Sequence, residues 1–136
     1  MPEIRIVAKL LATTAVTALI GDRLRKHHRK STWGGADAIT YQRISTAWVN
    51  HAGGVTETAF ARIQLDLWSA TPAGLKALAD AVRGALSGWS DKQHTPKIAL
   101  CHLIIEMELP GGPDAGEEES GTEYCLIQEY LIDYYT

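Results

Sequence analysis

The sequence predicts an α+β fold, in which an antiparallel sheet of about four strands carries two helices on one face. Two kinds of apolar spacing indicate this class: apolar residues recur every three to four positions in two segments and every second position in others. The segments follow the order α-β-β-α-β-β, and each β-β pair is a candidate hairpin. A length of 136 residues is typical of one domain, so we expect residues 1–136 to form a single α+β domain.

The first predicted element is a helix over residues 3–20. Pro2 suits the start of a helix, because its missing N–H has no helical partner there. The apolar residues with helical spacing are Ile4, Val7, Leu11, Ala15, Ala18 and Leu19. Gly21 is placed to end the helix. Leu24–Asp37 shows no apolar period and is rich in loop residues, so we expect a loop.

Two strands are predicted next. Ala38–Val49 is rich in β-branched and aromatic residues, which favour strands. Thr56–Trp68 alternates between apolar and polar residues, as expected of a half-buried strand. Its apolar positions include Ala61, Ile63, Leu65 and Leu67, and its polar positions include Arg62, Gln64 and Asp66. The intervening His51–Gly54 has a turn composition, so we expect an antiparallel hairpin.

Thr71–Leu86 has the strongest helical pattern in the sequence. Thr71 can cap the helix and Pro72 can occupy its first position. The apolar stripe consists of Leu75, Leu78, Ala79, Val82 and Leu86. Gly88 lies just beyond the expected end of this helix.

The last third of the chain predicts two more strands joined by a loop. In Lys97–Leu109, Cys101, Leu103, Ile105, Met107 and Leu109 alternate with more polar residues. Pro110–Gly121 is a loop rich in proline, glycine and acid, and Thr122–Tyr135 is apolar on both faces. We therefore expect a neighbouring subunit to cover the outer face of the last strand, and we assign Tyr130, Ile132 and Tyr134 to that contact.

Charge is distributed unevenly along the chain. The net charge of −3 combines +5 in residues 1–30, +1 in residues 31–100 and −9 in residues 101–136. A chain with a basic start and an acidic end can associate head to tail with its own copies. The candidate contact residues are Arg23, Arg25, Lys26, Arg29 and Lys30 in the basic segment and Glu117, Glu118 and Glu119 in the acidic one. The basic segment lacks interleaved aromatic residues, which favours a protein contact or sequence-blind contact with passing DNA.

No residue pattern points to catalysis, a cofactor or a metal. The Gly-Gly pairs lack the lysine and the spacing of a phosphate-binding loop, and Cys101 and Cys125 fall inside predicted strands, where cysteines are usually inert. None of the histidines has metal-ligand spacing. His102 and Glu106 could lie on one strand face as an acid–base pair, although a polar sheet face explains them equally well. The longest apolar stretch is too short to cross a membrane.

Five segments, taken in order, resemble the tail completion or tail-terminator proteins of long-tailed bacteriophages and prophages. They are Thr14–Leu24, Ile39–Ser45, Glu57–Thr71, Leu75–Leu86 and Tyr130–Tyr135. The resemblance implies a virion protein that forms a ring, commonly a hexamer, on the head-proximal end of the tail tube. Such a ring ends tube polymerisation and presents a surface for joining the head.

The resemblance also implies the partners of the protein and its place in the cell. These are further copies of the chain (which can be monomeric before assembly), the tail tube protein, a head–tail connector, and DNA only as it passes through the ring. The protein would be a non-enzymatic part of the virion tail, without a cofactor, assembled in the bacterial cytoplasm. The alternatives are another phage neck protein such as a connector adaptor, a small enzyme using His102 and Glu106, and a host regulatory module.

Overall fold

Three helices and six strands make up the part of the chain that the structure describes. The computed structural model describes residues 2–27, 36–51, 54–94, 96–109 and 124–135. The helices are α1 (Pro2–Leu11), α2 (Thr14–Ile20) and α3 (Pro72–Leu86). The strands are β1 (Leu24–Lys26), β2 (Ala38–His51), β3 (Gly54–Ser69), β4 (Trp89–Asp91), β5 (Lys97–Glu108) and β6 (Tyr124–Tyr135). The predicted α+β class is confirmed, with more helices and strands than the sequence indicated.

The strands form one mixed sheet in the order β1-β2-β3-β6-β5-β4. The four long strands pair antiparallel as predicted: β2 with β3, and β5 with β6. β3 and β6 join these two pairs in the middle of the sheet. The additional strands are short and lie at the edges, where β1 runs parallel to β2 and β4 runs antiparallel to β5. The loop predicted for Leu24–Asp37 is therefore wrong at its start, and the predicted loop Pro110–Gly121 lies outside the described residues.

The core lies between the helices and one face of the sheet, here called the helix face. Its strand residues include Ile63, Leu65 and Leu67 of β3 and Tyr130, Ile132 and Tyr134 of β6. Alternate residues of the same strands point to the opposite side, here called the outer face, because successive side chains on a strand point in opposite directions. The predicted alternation of β3 is confirmed by the complete burial of its four apolar positions, Ala61, Ile63, Leu65 and Leu67.

The predicted N-terminal helix is divided in two. Thr13 has extended backbone angles, and its hydroxyl donates a hydrogen bond to the Lys9 carbonyl at 2.7 Å. This local bond competes with helix continuation. The break separates two buried stripes, Pro2, Glu3, Ile6 and Leu10 in α1 and Val16 and Ile20 in α2. The predicted apolar face is therefore wrong: Ile4 is 64% exposed and Leu11 is 43% exposed.

The helix α3 begins and packs as its sequence predicts. The Thr71 hydroxyl accepts a hydrogen bond from the Gly74 N–H at 2.9 Å, and Pro72 occupies the first turn. The whole predicted stripe is buried against the sheet. Gly88 follows with a φ of 81°, a left-handed conformation that favours glycine. The chain can therefore turn directly from α3 into the edge strand β4.

The strand β5 changes its facing direction part-way along. Its pairing register with β6 shifts between Leu103 and Ile105, which marks a bulge. Before the bulge Cys101 lies on the helix face, opposite Ile132. After it, Glu106 lies opposite Gln128 on that face, and Ile105 and Met107 point outward. The uninterrupted alternation predicted for Lys97–Leu109 is therefore wrong beyond Leu103.

Candidate functional site

The first cation of the basic segment, Arg23, has a structural position. Its Nε donates to the Asp37 carbonyl at 2.7 Å, and its guanidinium also donates to the Leu19 carbonyl at 3.1 Å. The Leu19 carbonyl belongs to the last turn of α2, where helical carbonyls lack partners and a cation is favourable. Arg23 thus ties the end of α2 to the start of β2.

The next two cations, Arg25 and Lys26, lie on the edge strand β1. Both are exposed, and neither forms an ion pair with any residue that the structure describes. In the parallel ladder Arg25 lies beside Thr40 and Lys26 beside Tyr41. Because Thr40 pairs with Asp66 on the outer face and Tyr41 with Leu65 on the helix face, the two cations point to opposite sides of the sheet. Arg29 and Lys30 lie outside the described residues.

The acidic candidates Glu117, Glu118 and Glu119 also lie outside the described residues. Of the acidic residues in the final strands, Glu129 pairs with Arg62 across the outer face at 2.6 Å. Glu106 accepts a hydrogen bond from Arg83 of α3 at 3.0 Å. Glu108, at the end of β5, is exposed. The negative charge on the described strands is therefore partly neutralised within the chain.

The three apolar residues assigned to a subunit contact lie in the core. Tyr130 and Ile132 are fully buried and Tyr134 is 5% exposed. All three face the helices, because they pair with Ile63, Ala61 and Ala59 of β3. The structure therefore corrects the residue assignment: α3 and its neighbours already cover these side chains. A subunit covering the outer side of β6 would meet the alternate residues Ile127, Leu131 and Tyr135.

A buried polar chain leads from the core to the surface of α3. The Tyr130 hydroxyl donates to the Gln128 side-chain oxygen at 2.8 Å. The Gln128 amide nitrogen donates to Glu106 at 2.7 Å and to the Ala79 carbonyl at 3.2 Å. Burial raises the pKa of Tyr130, so its hydroxyl stays protonated and acts as a donor. Beside this chain, α3 and the ends of β5 and β6 enclose a shallow cavity of about 390 Å³.

A second groove lies between α1 and the edge strand β4. It has a volume of about 480 Å³ and includes Trp89, Lys9 and His94 in its lining. The Lys9 ammonium lies 5.9 Å from the centroid of the Trp89 ring. Asp91 binds Arg5 and accepts from His94 at 3.0 Å. These contacts fasten α1 to the sheet edge, and the Asp91 carboxylate neutralises one of the two cations that line the groove.

The outer face combines polar pairs with partly exposed apolar residues. Within the described part of the chain all three helices pack on the opposite side. Desolvation raises the pKa of Asp66 on this face, and a hydrogen bond from Gln64 opposes the shift. The larger apolar side chains are only partly covered; Phe60 is 36% exposed and Met107 is 47% exposed. The sequence predicts an outer face to the last strand but not the contribution of β5, because the bulge that turns Ile105 and Met107 outward leaves no clear sequence signal.

The geometry gives little support to an acid–base pair, a reactive thiol or a metal site among the described residues. The bulge places His102 on the outer face and Glu106 on the helix face, so the two side chains do not share the strand face that an acid–base pair would need. Cys101 and Cys125 are buried thiols outside any disulfide bond, and burial raises the pKa of Cys101 to about 12. Among the described residues there is no cluster of three or more histidine, cysteine or acidic side chains suited to a metal ion. None of the described helices is long and apolar enough to cross a membrane.

Comparison with protein families matches residues 4–103 to the tail completion protein gp17 family. The chain belongs to this family. The match runs from α1 through β3 and α3 into β5, so it includes most of the elements described above. The predicted family resemblance is confirmed, and the protein is a structural component of a phage tail.

One solved structure has the same fold over nearly the whole chain. It comes from the virion of a native gene transfer agent particle, with a TM-score of 0.75 and 15% sequence identity. The alignment covers 96% of this chain and 92% of that one. At this identity the likeness establishes the fold. Comparison with curated proteins gives no match.

Proposed function

We propose that the protein caps the head-proximal end of the tail tube. In that position it ends polymerisation of the tube and provides the surface that the head joins. The observation that carries the proposal is the family match over residues 4–103. We propose a structural role without enzymatic activity or a cofactor.

We further propose that copies of the protein assemble into a ring, and that the ring is a hexamer. Stable protein interfaces bury about 800 Å² per partner and have an apolar centre. The outer face offers such a centre, with exposed Phe60, Leu100, Ile105 and Met107. The basic start and acidic end of the chain would steer neighbouring copies into register, since exposed charge pairs contribute about 0–1 kcal/mol each.

The partners follow from this position. One side of the ring meets the tail tube protein and the other meets a head–tail connector, and DNA passes through the centre. Assembly takes place in the bacterial cytoplasm and ends in the virion tail. The chain is free to remain monomeric until the tube provides a template.

Electron microscopy of particles made without this protein tests the capping role. We expect tails of abnormal length that carry no heads. Tails of normal length that only fail to join heads would contradict capping and support a connector adaptor instead. Infectious particles of normal form would overturn both functions. Supplying the intact chain in trans is the control.

Charge reversal tests the basic segment. Arg25, Lys26 and Arg29 changed together to glutamate should leave folding intact, because the two described members are exposed. Tail completion should fail or become strongly salt dependent. The matched control is Lys92→Glu, an exposed cation outside the segment. Full assembly of infectious particles by the triple variant would show that the basic segment only interacts with solvent.

A further inference from the structure

The sheet has two edges that are unpaired within the described residues. At one end, β1 pairs with β2 on one side only. At the other end, β4 reaches along β5 only from Ile98 to Cys101. The remainder of β5, Leu103–Glu108, has β6 on one side and no described strand on the other. Unpaired edges of this kind are ready templates for another strand.

The backbone groups at both edges point outward for such pairing. The His27 N–H donates to the Tyr41 carbonyl at 2.9 Å. Because ladder bonds alternate in direction along a strand, Lys26 points its N–H and carbonyl away from β2. At the other edge the Leu109 N–H donates to the Cys125 carbonyl at 3.0 Å. By the same alternation Glu106 and Glu108 point their backbone groups away from β6.

The side chains of the two edges are also complementary. Lys26 lies on the helix face, beside Tyr41. Glu108 lies on the same face, opposite Leu126. Glu106 is already bound by Arg83 and Gln128, whereas Glu108 forms no ion pair with any described residue and can meet a neighbour. On the outer face the Arg25 stem would lie along the exposed side chains of β5, which suit its apolar part.

We propose that β1 of one copy pairs with the Leu103–Glu108 edge of the next copy. This inference rests on the proposed ring and adds a strand contact between copies to the apolar contact of the outer face. Two different edges meet, so the contact is head to tail, and such contacts generate closed rings when the rotation between copies fits. Pairing of β1 with β1 is disfavoured, because it places the like charges of Arg25 and Lys26 close together.

Engineered cysteines test this geometry in the full chain. A double variant, Lys26→Cys with Glu108→Cys, should form a ladder of disulfide-linked oligomers after oxidation, both in concentrated solution and on assembled tails. Either single variant should form no disulfide-linked species, and a mixture of the two single variants should form disulfide-linked dimers only. The native Cys101 and Cys125 are buried and serve as an internal background. Efficient dimers from Lys26→Cys alone, or no cross-links where rings are present, would overturn the proposal.

Charge exchange gives a second measurement that does not depend on thiol geometry. Lys26→Glu and Glu108→Lys should each weaken self-association about threefold to tenfold in light scattering. The combined exchange should restore it, whereas Lys92→Glu should have no effect. Rings that persist unchanged in Lys26→Glu would overturn the edge pairing while leaving the ring itself in place. If the intact chain forms no ring and tails complete without it, the proposed function fails instead.

Discussion

The two faces of the sheet differ in how their side chains are covered. On the helix face, Ile63, Leu65 and Tyr130 are fully buried under the helices. On the outer face, Arg62 and Glu129 form an ion pair next to half-buried apolar residues, and no described helix covers them. Each strand supplies both faces through alternate residues. The helix face therefore stabilises the subunit, and the outer face and the edges remain for contacts with other proteins.

Truncation of a core side chain should have the largest effect of the substitutions that test this difference. Leu65→Ala or Leu78→Ala should lower the free energy of unfolding by about 2–5 kcal/mol, because each leaves a cavity between β3 and α3. Denaturant unfolding of the monomer measures the loss.

Met107→Ala on the outer face is the matched control. Met107 is 47% exposed, so its truncation should cost less than about 1 kcal/mol. Similar losses at Leu65 and Met107 would mean that the outer face is also covered within the subunit, and the contrast between the faces would fail.

Sequence patterns predicted β3 and α3 well because their signals are strong. The alternation in β3 and the Thr71 cap each have one clear physical reading. The edge strands were missed because three residues carry too little periodicity, and β1 begins with the composition of a loop. The apolar pattern predicts one helix over residues 3–20, because it does not reveal the backbone break at Thr13, where the hydroxyl bonds the Lys9 carbonyl.

The candidate contact residues were harder to predict than the fold. β6 is apolar on both faces, so its sequence does not say whether the even or the odd residues face the helices. Register with β3 decides it, and Tyr130 proves to be core. Arg23 has the same charge as Arg25, yet only the structure shows that Arg23 binds backbone carbonyls. The charge pattern predicts which segment makes a contact, whereas the burial of each side chain shows which residues of that segment are available for it.

The buried polar chain gives a second, intermediate test of the two faces. Gln128→Leu should lower the free energy of unfolding by about 1–3 kcal/mol, because it leaves the Tyr130 hydroxyl buried without its acceptor. Tyr130→Phe should cost less, and the double variant should cost less than the sum of the two.

The control for this test is Gln64→Leu on the outer face. Gln64 is only partly buried and its described side-chain bond is to Asp66, so the change should be smaller than that at Gln128. Strict additivity between Tyr130→Phe and Gln128→Leu would show that the hydroxyl contact contributes nothing to stability.

The smallest expected effect concerns the pH dependence of stability on the outer face. Desolvation raises the pKa of Asp66 above its ordinary value of 3.8, so the folded state disfavours the ionised carboxylate. This contribution to stability is present below pH 3.8 and is lost as the pH rises through the folded pKa. Asp66→Asn should therefore raise stability slightly at pH 7, with a gain well below the core effects, and should change little near pH 3.

Asp80 on α3 gives the opposite sign, because a hydrogen bond from Lys76 lowers its pKa. Asp80→Asn should reduce stability at pH 7 and lose its effect in acid. Thermal unfolding of dilute monomer at the two pH values measures both, and a loss of stability in Asp66→Asn at pH 7 would show that a cation neutralises this part of the outer face.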